Sequence, residues 1–453
     1  MAKLRNPHGS LNPPRVVLLG FCVIILFGTF LLWLPLSSRS QEFTNLLTCL
    51  FTATSATCVT GLAKVDTFLY WSPFGQGVIL MLIQIGGLGF VSMLSIISFL
   101  FHHKFSLSQR LVMASDLNMN SSEGVVRVVR RAISGTFFME FLGAVFLAFA
   151  FVPRYGLGQG LWFSVFHSIS AFCNGGFDLM GGTSGEFSSF SGYTDQPFVL
   201  IVLMVLIVAG GLGFFVWEDL VQQKFRYKGL TLYSKMVINI SGWLILLGFA
   251  LFVLVEWDNP ATLGEMDSFS KVINALFQSV TLRTAGFATI DQRGLQDSSV
   301  LFALVLMLIG GSAGSTAGGL KTVTVGVLLL SLCQRMTGHE QVVFKKRTIP
   351  HQRVFSAMIL LQMMLLFFFT GALALALTDK APFLPSVFEA ASAIGTVGLS
   401  MNLTPSLNPL SSIVIIVLMF LGRVGILSCS IALMTSKRKP DVVKYPKTDM
   451  MIG

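Results

Sequence analysis

Long apolar runs alternate with short polar connectors along most of the 453-residue chain. A helix needs about 20 apolar residues to cross a hydrocarbon core about 30 Å thick, and eight runs meet that length. These runs are residues 16–36, 77–101, 132–153, 198–217, 236–255, 300–330, 354–377 and 411–434. The pattern predicts an all-α polytopic membrane protein.

Four shorter, half-apolar segments lie between successive pairs of these runs. They read LFTATSATCVTGL (50–62), VFHSISAFCNGGF (165–177), LFQSVTLRTAGF (276–287) and VFEAASAIGTVGL (387–399). Each has an apolar residue before Phe, then small and hydroxyl residues, then a glycine followed by Leu or Phe. The recurrence predicts four repeats, at 1–101, 102–220, 221–335 and 336–436, and a tail at 437–453.

Each half-apolar segment is too short to span, because 15 helical residues reach only about 22 Å. Non-helical backbone at membrane depth is tolerated where it lines a water-filled path or is buried in protein. Four such loops around a central pore can direct backbone carbonyls at a dehydrated cation. Glycine- and serine-rich helix packing is the alternative, and the four-fold recurrence argues against it. The predicted filter residues are Cys58, Val59, Thr60, Gly61, Cys173, Asn174, Gly175, Gly176, Thr284, Ala285, Gly286, Thr396, Val397 and Gly398.

The sixth apolar run, 300–330, contains a cluster of glycines in its middle. Glycine costs about 1 kcal/mol in a helix interior, and a straight helix of this length would be about 47 Å long. We therefore expect the helix to break there and form a movable gate below the filter, with a flexible packing interface as the alternative. The predicted gate residues are Gly310, Gly311, Ser312, Ala313, Gly314, Ser315, Thr316, Ala317, Gly318, Gly319, Lys321 and Arg423.

Small residues also pair at a matching depth in all four second helices of the repeats, as Gly86/Gly89, Gly210/Gly213, Gly310/Ala313 and Gly422/Gly425. Close packing alone could explain three of these pairs, so only the third helix is expected to break. Arg423 is the one charge in the fourth of these helices, where a central arginine costs about 2.5–3.5 kcal/mol. We expect it to face the cavity, bond to loop carbonyls and oppose cation passage.

Three further charges have expected roles of different kinds. Lys321 either assists Arg423 or extends its ammonium to the interface. Arg283 should brace the filter or the outer loop, because it would repel a cation. Glu140, in the third span, should have a polar partner in a neighbouring helix.

The net charge of +10 is distributed asymmetrically. Of the 31 Lys and Arg residues, 22 lie at the N-terminus, near 102–131, 221–236 and 331–353, or after Ser436. These segments share one side of the membrane if every run spans, which predicts cytoplasmic termini and argues against a nucleic-acid partner. Acids on the opposite side, among them Asp178, Glu186, Asp195, Glu256, Asp258, Glu265, Asp267, Asp291 and Glu389, indicate either an acidic outer mouth or ordinary loop solubility.

Several stretches resemble the Trk/Ktr/HKT superfamily of potassium transporters, and within it the membrane subunits of bacterial Ktr uptake systems. They are IQIGGLGF (83–90), SVTLRTAGF (279–287), GTVGL (395–399) and FLGRVG (420–425). The resemblance covers the whole chain and implies four membrane–pore-loop–membrane repeats around a potassium-channel-like pore. It also implies that K⁺ binds at the filter and is favoured over Na⁺, because all four filter positions are glycine.

The same resemblance implies assembly and regulation. It suggests a homodimer in the bacterial cytoplasmic membrane, docked on a cytosolic RCK-type, KtrA-like ring subunit that binds ATP or ADP. Any nucleotide would then bind the partner only, and Na⁺ would be a possible activator. Two departures stand out: the second filter reads Cys173-Asn174-Gly175-Gly176, and the third has one residue fewer between its Phe and its glycine.

Together these features predict gated, potential-driven potassium uptake across the lipid bilayer rather than enzymatic activity. An ion-coupled secondary symporter for K⁺ or Na⁺ is the alternative. It would need ionisable groups at the membrane midplane and usually inverted repeats, whereas these repeats share one orientation.

Overall fold

The structure is a computed structural model that describes residues 13–89, 95, 106, 110, 113, 124–426 and 429. Most of the second half of the predicted 77–101 span, most of the basic 102–131 segment, the end of 411–434 and the 437–453 tail lie outside these residues. The regular structure of the described residues is almost entirely helical, and the predicted repeats can be followed in turn.

The first repeat begins with a long apolar helix and continues into a short, buried one. Its helices are α1 (Pro13–Trp33), α2 (Leu46–Thr57), α3 (Thr67–Tyr70) and α4 (Pro73–Leu88). The Asn45 side chain caps the N-terminus of α2 by accepting a hydrogen bond from the Leu47 amide. Eight of the 12 residues of α2 are buried, which places this half-helix inside the protein.

The second repeat has the same order of elements with a longer first helix. Its helices are α5 (Val125–Tyr155), α6 (Leu157–Phe172), α7 (Gly181–Ser184), α8 (Pro197–Leu212) and α9 (Phe214–Gln222). A bend of 95° separates α8 from α9. The predicted span 198–217 is therefore not one continuous helix, because the chain turns at Gly213 and leaves the direction of α8.

The third repeat contains a complete interruption of its last helix. Its helices are α10 (Leu232–Glu256), α11 (Ser268–Thr281), α12 (Asp297–Leu308) and α13 (Thr322–Met336). Residues 309–321 form a loop between α12 and α13. Asp267 caps α11 by accepting hydrogen bonds from the Phe269 and Ser270 amides.

The fourth repeat starts after a small antiparallel hairpin. Its elements are β1 (Val343–Phe344), β2 (Arg347–Thr348), α14 (His351–Thr378), α15 (Phe383–Gly395) and α16 (Pro409–Val424). Asn408 caps α16, and Pro409 occupies its first turn, where the missing amide hydrogen is not needed. Two large apolar cores result, one mainly from the first two repeats and one mainly from the last two.

The helices of the described residues differ in length in a regular way. Four of them, α1, α5, α10 and α14, are long and apolar enough to cross a membrane, and the bent pair α8–α9 raises the number to five. By contrast α4, α8 and α16 have 16 residues each and reach only about 24 Å. The expectation that only the third of the second helices is interrupted is therefore incorrect.

The physical cause is the second glycine of each small-residue pair. Gly89, Gly213 and Gly425 follow the last residues of α4, α8 and α16 with φ of 83°, 87° and 91°. These angles combine with extended ψ in a region that residues with a Cβ rarely enter. The paired glycines are thus helix-ending positions as well as packing positions.

Candidate functional site

Four chain turns meet at one point inside the protein, each directly after a buried half-helix. In each turn a residue with positive φ is followed two positions later by a glycine with positive φ. The first residues are Val59, Asn174, Thr284 and Thr396, and the glycines are Gly61, Gly176, Gly286 and Gly398. The repeats therefore share one backbone path although their side chains differ.

The four glycines close a ring in which each contacts the next repeat. A Cβ built on Gly61 would lie 2.8 Å from the Gly176 Cα, and one on Gly176 would lie 3.2 Å from the Gly286 Cα. A Cβ built on Gly286 would likewise lie 3.2 Å from the Gly398 Cα, and a Cβ on Gly398 would overlap the Thr60 carbonyl oxygen. Only glycine fits here, because any side chain would overlap the backbone of a neighbouring turn in the ring.

Amide groups of the turns bond backward to the half-helices. The Thr60, Gly175 and Val397 amides donate to the carbonyls of Ser55, Ser170 and Ser392 at 2.8, 2.6 and 2.8 Å. The Ser55 and Ser392 hydroxyls also accept from the Gly61 and Gly398 amides. With the amides engaged on the helix side, the turn carbonyls are available to the axis, where they can replace a cation's hydration shell.

The missing residue of the third repeat lies at the end of its half-helix. The Ala285 amide bonds to the carbonyl of Thr281, four residues back, whereas the equivalent bonds in the other repeats span five residues. The Thr281 hydroxyl donates to the Phe287 carbonyl just as the Ser170 hydroxyl donates to that of Phe177. A tighter last turn thus absorbs the deletion, and Gly286 still joins the ring.

The ring combines several electrostatic features that favour a cation. The half-helices α2, α6, α11 and α15 end immediately before it, so the negative ends of their dipoles lie next to the turn carbonyls. Arg283 is the one charged side chain among the turn residues, and its guanidinium donates to the Ser241 hydroxyl of α10 at 3.2 Å. Its charge is therefore directed toward a neighbouring helix and not into the ring.

A cavity of about 370 Å³ opens on one side of the ring, the side on which the chain continues after each of the four glycines. All four ring glycines line it, together with Asp66, Asp178, Glu186, Asp291 and Arg293. Hydrogen bonds from Arg293 hold the pKa of the Asp291 carboxyl below its ordinary value, so this carboxylate stays ionised at the rim. The cavity is thus a polar, partly acidic entrance.

Two acids predicted for the outer mouth are instead structural. Glu256 is fully buried and accepts hydrogen bonds from Asn259, Thr262 and the Gln296 amide. Glu389 is also buried, inside α15, and accepts from the Ser400 and Thr404 hydroxyls. Both carboxylates hold loops together, a role that loop composition alone could not reveal.

A second cavity, of about 420 Å³, lies on the other side of the ring. Its lining includes Ala313, Gly314, Ser315 and Ala317 from the 309–321 loop, and also Arg423. The loop is closed at its neck, where the Gly310 amide donates to the Leu320 carbonyl at 2.9 Å. This loop therefore lies next to the cavity and, through Gly318, against Thr396 of the fourth turn.

The loop is anchored mainly to the end of α8. The Ser312 and Thr316 amides donate to the Gly211 and Gly210 carbonyls at 3.0 and 3.4 Å, and the Ser312 hydroxyl donates to the Leu212 carbonyl. In return, the Phe214 amide donates to the Gly314 carbonyl at 2.8 Å. These carbonyls are available as acceptors because α8 ends before Gly213. The end of the helix is therefore what allows the loop to bind there.

Arg423 connects the loop to the first repeat. Its guanidinium donates to the Thr316 carbonyl in the loop and to the Gly86 and Gly87 carbonyls at the end of α4. Lys321 donates instead to the Ala317 carbonyl at 2.8 Å, a bond internal to the loop. The two cations line one cavity, but only Arg423 ties the loop to another helix.

Two polar residues near the ring complete its surroundings. Glu140 of α5 accepts hydrogen bonds from the Gln84 amide at 3.0 Å and the Cys173 thiol at 3.5 Å. His167 of α6, which the sequence interpretation did not single out, bonds to the Phe163 carbonyl and accepts from the Leu179 amide. A titratable histidine inside a half-apolar half-helix was the available sequence signal for it.

Comparisons with known proteins agree with this arrangement. The family profile described as TrkH, cation transport protein, matches residues 16–444. The chain is 38% identical over 448 residues to the potassium/sodium uptake protein NtpJ of Enterococcus hirae, covering 98% of each protein. It is 37% identical over 444 residues to the Ktr system potassium uptake protein B of Bacillus subtilis, covering 98% of this chain and 97% of that protein.

A solved structure supports the fold. The crystal structure of the potassium transporter TrkH from Vibrio parahaemolyticus matches with a TM-score of 0.74 at 19% identity, covering 96% of this chain and 87% of that chain. This likeness confirms the predicted all-α polytopic membrane fold. The predicted resemblance to the Trk/Ktr/HKT superfamily is confirmed by the profile and the two relatives.

Proposed function

The chain belongs to the TrkH family of cation transport proteins, and we propose that it forms a gated pathway for K⁺ uptake across the bacterial cell membrane. The observation that carries this proposal is the closed ring of four glycines with a cavity on either side. The two relatives described above are named as potassium and potassium/sodium uptake proteins. K⁺ is therefore the transported ion in this proposal.

Selectivity in this proposal comes from backbone carbonyls rather than from charged side chains. Cys58 to Gly61, Cys173 to Gly176, Thr284 to Gly286 and Thr396 to Gly398 form the filter. The membrane potential supplies the driving force, about 2.3 kcal/mol per elementary charge per 100 mV, or about forty- to fifty-fold accumulation. Residues 310–319, Lys321 and Arg423 form the gate, because they obstruct the path below the filter.

The remaining parts of the proposal concern assembly and control. The name of the Bacillus subtilis relative describes one protein of a Ktr system, which is consistent with a further subunit. We infer a homodimer with cytoplasmic termini, docked on a cytosolic RCK-type ring whose ATP or ADP site lies on that partner. Sodium stimulation belongs to the same proposal, with Na⁺ as an activator.

Growth rescue tests the proposed function directly. Bacteria that lack potassium uptake are grown at low K⁺ with this chain, alone and with a Ktr-type ring subunit, and rescue is the expected result. Gly398→Ser should abolish rescue or relax it toward Na⁺, because the new side chain would overlap the Thr60 carbonyl. Gly77→Ser is the matched control, since a Cβ at Gly77 meets no atom within 4 Å. Absence of rescue in every setting, with the protein present in the membrane, would contradict the proposal.

The coupled symporter is the competing function, and the printed name of the Enterococcus hirae relative, a potassium/sodium uptake protein, is the observation that favours it. Vesicles containing the purified chain distinguish the two. A pathway driven by potential alone takes up K⁺ at a rate that follows voltage and persists without a Na⁺ or proton gradient. Uptake that stops when those gradients are removed would favour the symporter.

A further inference from the structure

The second filter turn contains an amide side chain where the other three turns have Val59, Thr284 and Thr396. This residue, Asn174, is fully buried, so its polar atoms must find partners inside the protein. Its backbone has φ of 60°, a conformation that asparagine tolerates better than most residues. Local backbone geometry therefore permits asparagine here, and the partners of its side chain decide what the amide does.

The Asn174 side chain lies between the 309–321 loop and the third filter turn. The Thr316 hydroxyl shares its single proton between the Asn174 Oδ1 at 3.3 Å and the Phe172 carbonyl at 3.1 Å. The Asn174 Nδ2 donates to the Thr284 hydroxyl at 3.2 Å. One amide thus joins the loop to two neighbouring turns of the ring.

Gly210 of α8 makes this arrangement sterically possible. A Cβ built on Gly210 would lie 2.9 Å from both the Asn174 Oδ1 and the Thr316 Oγ1, and it would overlap the Phe172 carbonyl. The first glycine of the second small-residue pair therefore leaves the space in which loop and filter meet. Packing of α8 alone would not require the two polar atoms to converge there.

The fourth filter turn meets the loop in a different way. Gly318 lies against the Thr396 side chain, whose hydroxyl has no hydrogen-bond partner in the described part of the chain. The loop thus touches the filter by packing at the fourth repeat and by hydrogen bonds at the second. Only the second contact would leave a buried polar atom without its partner if the loop moved.

We propose that Asn174 is a positioning residue through which the gate loop sets the geometry, and hence the ion preference, of the filter. While Thr316 donates to Oδ1, the amide orientation is fixed and Nδ2 holds the Thr284 hydroxyl. Without that donor Oδ1 is unpaired, the amide is free to reorient, and the third filter turn loses its brace. The gate loop therefore contributes to selectivity as well as to conductance; this inference rests on the proposed function.

A double-mutant cycle on the full chain in vesicles tests this link. The measured quantity is the preference for ⁸⁶Rb⁺, a K⁺ substitute, over competing Na⁺, determined separately from the maximal uptake rate. Thr316→Val removes the hydroxyl, and Asn174→Thr installs the residue that the third and fourth turns have at this position. Each single variant should lower the Rb⁺/Na⁺ preference about threefold or more, and the double variant should lower it no further than the stronger single variant.

Two matched variants separate the link from general disturbance. Thr370→Val removes an exposed hydroxyl that bonds only within α14, so the preference should not change. Ser315→Ala removes a hydroxyl that bonds to the Ser312 carbonyl inside the loop, so any change should appear in rate and not in preference.

The outcomes are distinguishable. Multiplying effects in the double variant, or an unchanged preference in Thr316→Val, would overturn the inference. If Asn174→Thr cannot be recovered as folded protein, Thr316→Val compared with Ser315→Ala decides alone. A wild-type chain that takes up no Rb⁺, alone or with its ring subunit, would instead overturn the proposed function and this inference with it.

Discussion

Replacing Arg423 with glutamine should raise cation flux through the pathway. Among the carbonyls that accept from its guanidinium, that of Thr316 belongs to the 309–321 loop, while those of Gly86 and Gly87 belong to α4. The variant therefore removes one charge-assisted bond between the loop and the rest of the protein. The other loop anchors, to Gly210, Gly211 and Leu212, remain.

The size of the effect follows from that single bond. A hydrogen bond to a charged group contributes about 1.5–3 kcal/mol, so the ratio of open to closed loop should rise by about ten- to one-hundred-fold. Flux should rise by the same factor until the open state dominates. Uptake of ⁸⁶Rb⁺ into vesicles, normalised to the amount of intact purified protein, is the appropriate measurement.

Lys321→Gln is the control that separates tethering from electrostatics. It also removes a cation from the inner cavity, but it deletes only the bond to the Ala317 carbonyl within the loop. Tethering by Arg423 predicts a much smaller increase for Lys321→Gln. Equal increases in both variants would mean that Arg423 acts as a repulsive charge, and no increase in Arg423→Gln with intact protein would refute the gate reasoning altogether.

Two further predictions concern stability, measured as the melting temperature of the detergent-purified chain. Gly213→Ala should destabilise the protein by about 1–3 kcal/mol, because φ of 87° with ψ of 150° is a glycine-only conformation. Gly242→Ala is the control, since a Cβ there meets no atom within 4 Å. Equal melting temperatures of the two variants would argue against a required break at Gly213. Glu140→Leu should cost about 1–3 kcal/mol by leaving the half-buried Gln84 amide without its acceptor, whereas Glu140→Gln keeps an acceptor and should lose less. A larger loss of stability in Glu140→Gln than in Glu140→Leu would mean that the charge itself is required.

The positions of the ring glycines could be predicted from sequence because their requirement is local and repeated. Each ring glycine needs positive φ and has no room for a Cβ, so glycine recurs at Gly61, Gly176, Gly286 and Gly398. The interruption near residue 310 was predictable for a similar reason, since five glycines in ten residues weaken any helix. The missing residue of the third repeat was visible too, but only hydrogen bonding locates it at the last turn of α11.

Other features required the tertiary structure because their sequence signals are ambiguous. A pair of small residues in an apolar helix has the same appearance whether the helix continues or ends. Gly213 ends one through its positive φ, and the loop bonds to the carbonyls that this exposes. Glu389 has the sequence context of an outer-loop acid, yet hydroxyls at Ser400 and Thr404 allow it to be buried.

The sequence by itself determined the membrane class, the four repeats, the ring glycines and one helix interruption, since hydrophobic length and glycine conformation act over a few residues. The tertiary structure decided which groups meet across the repeats. Thr316 and Asn174 are 142 residues apart and Arg423 is 337 residues from Gly86, yet both pairs are hydrogen-bonded. Such contacts arise from how four similar units close around one axis, and no local pattern along the chain encodes them.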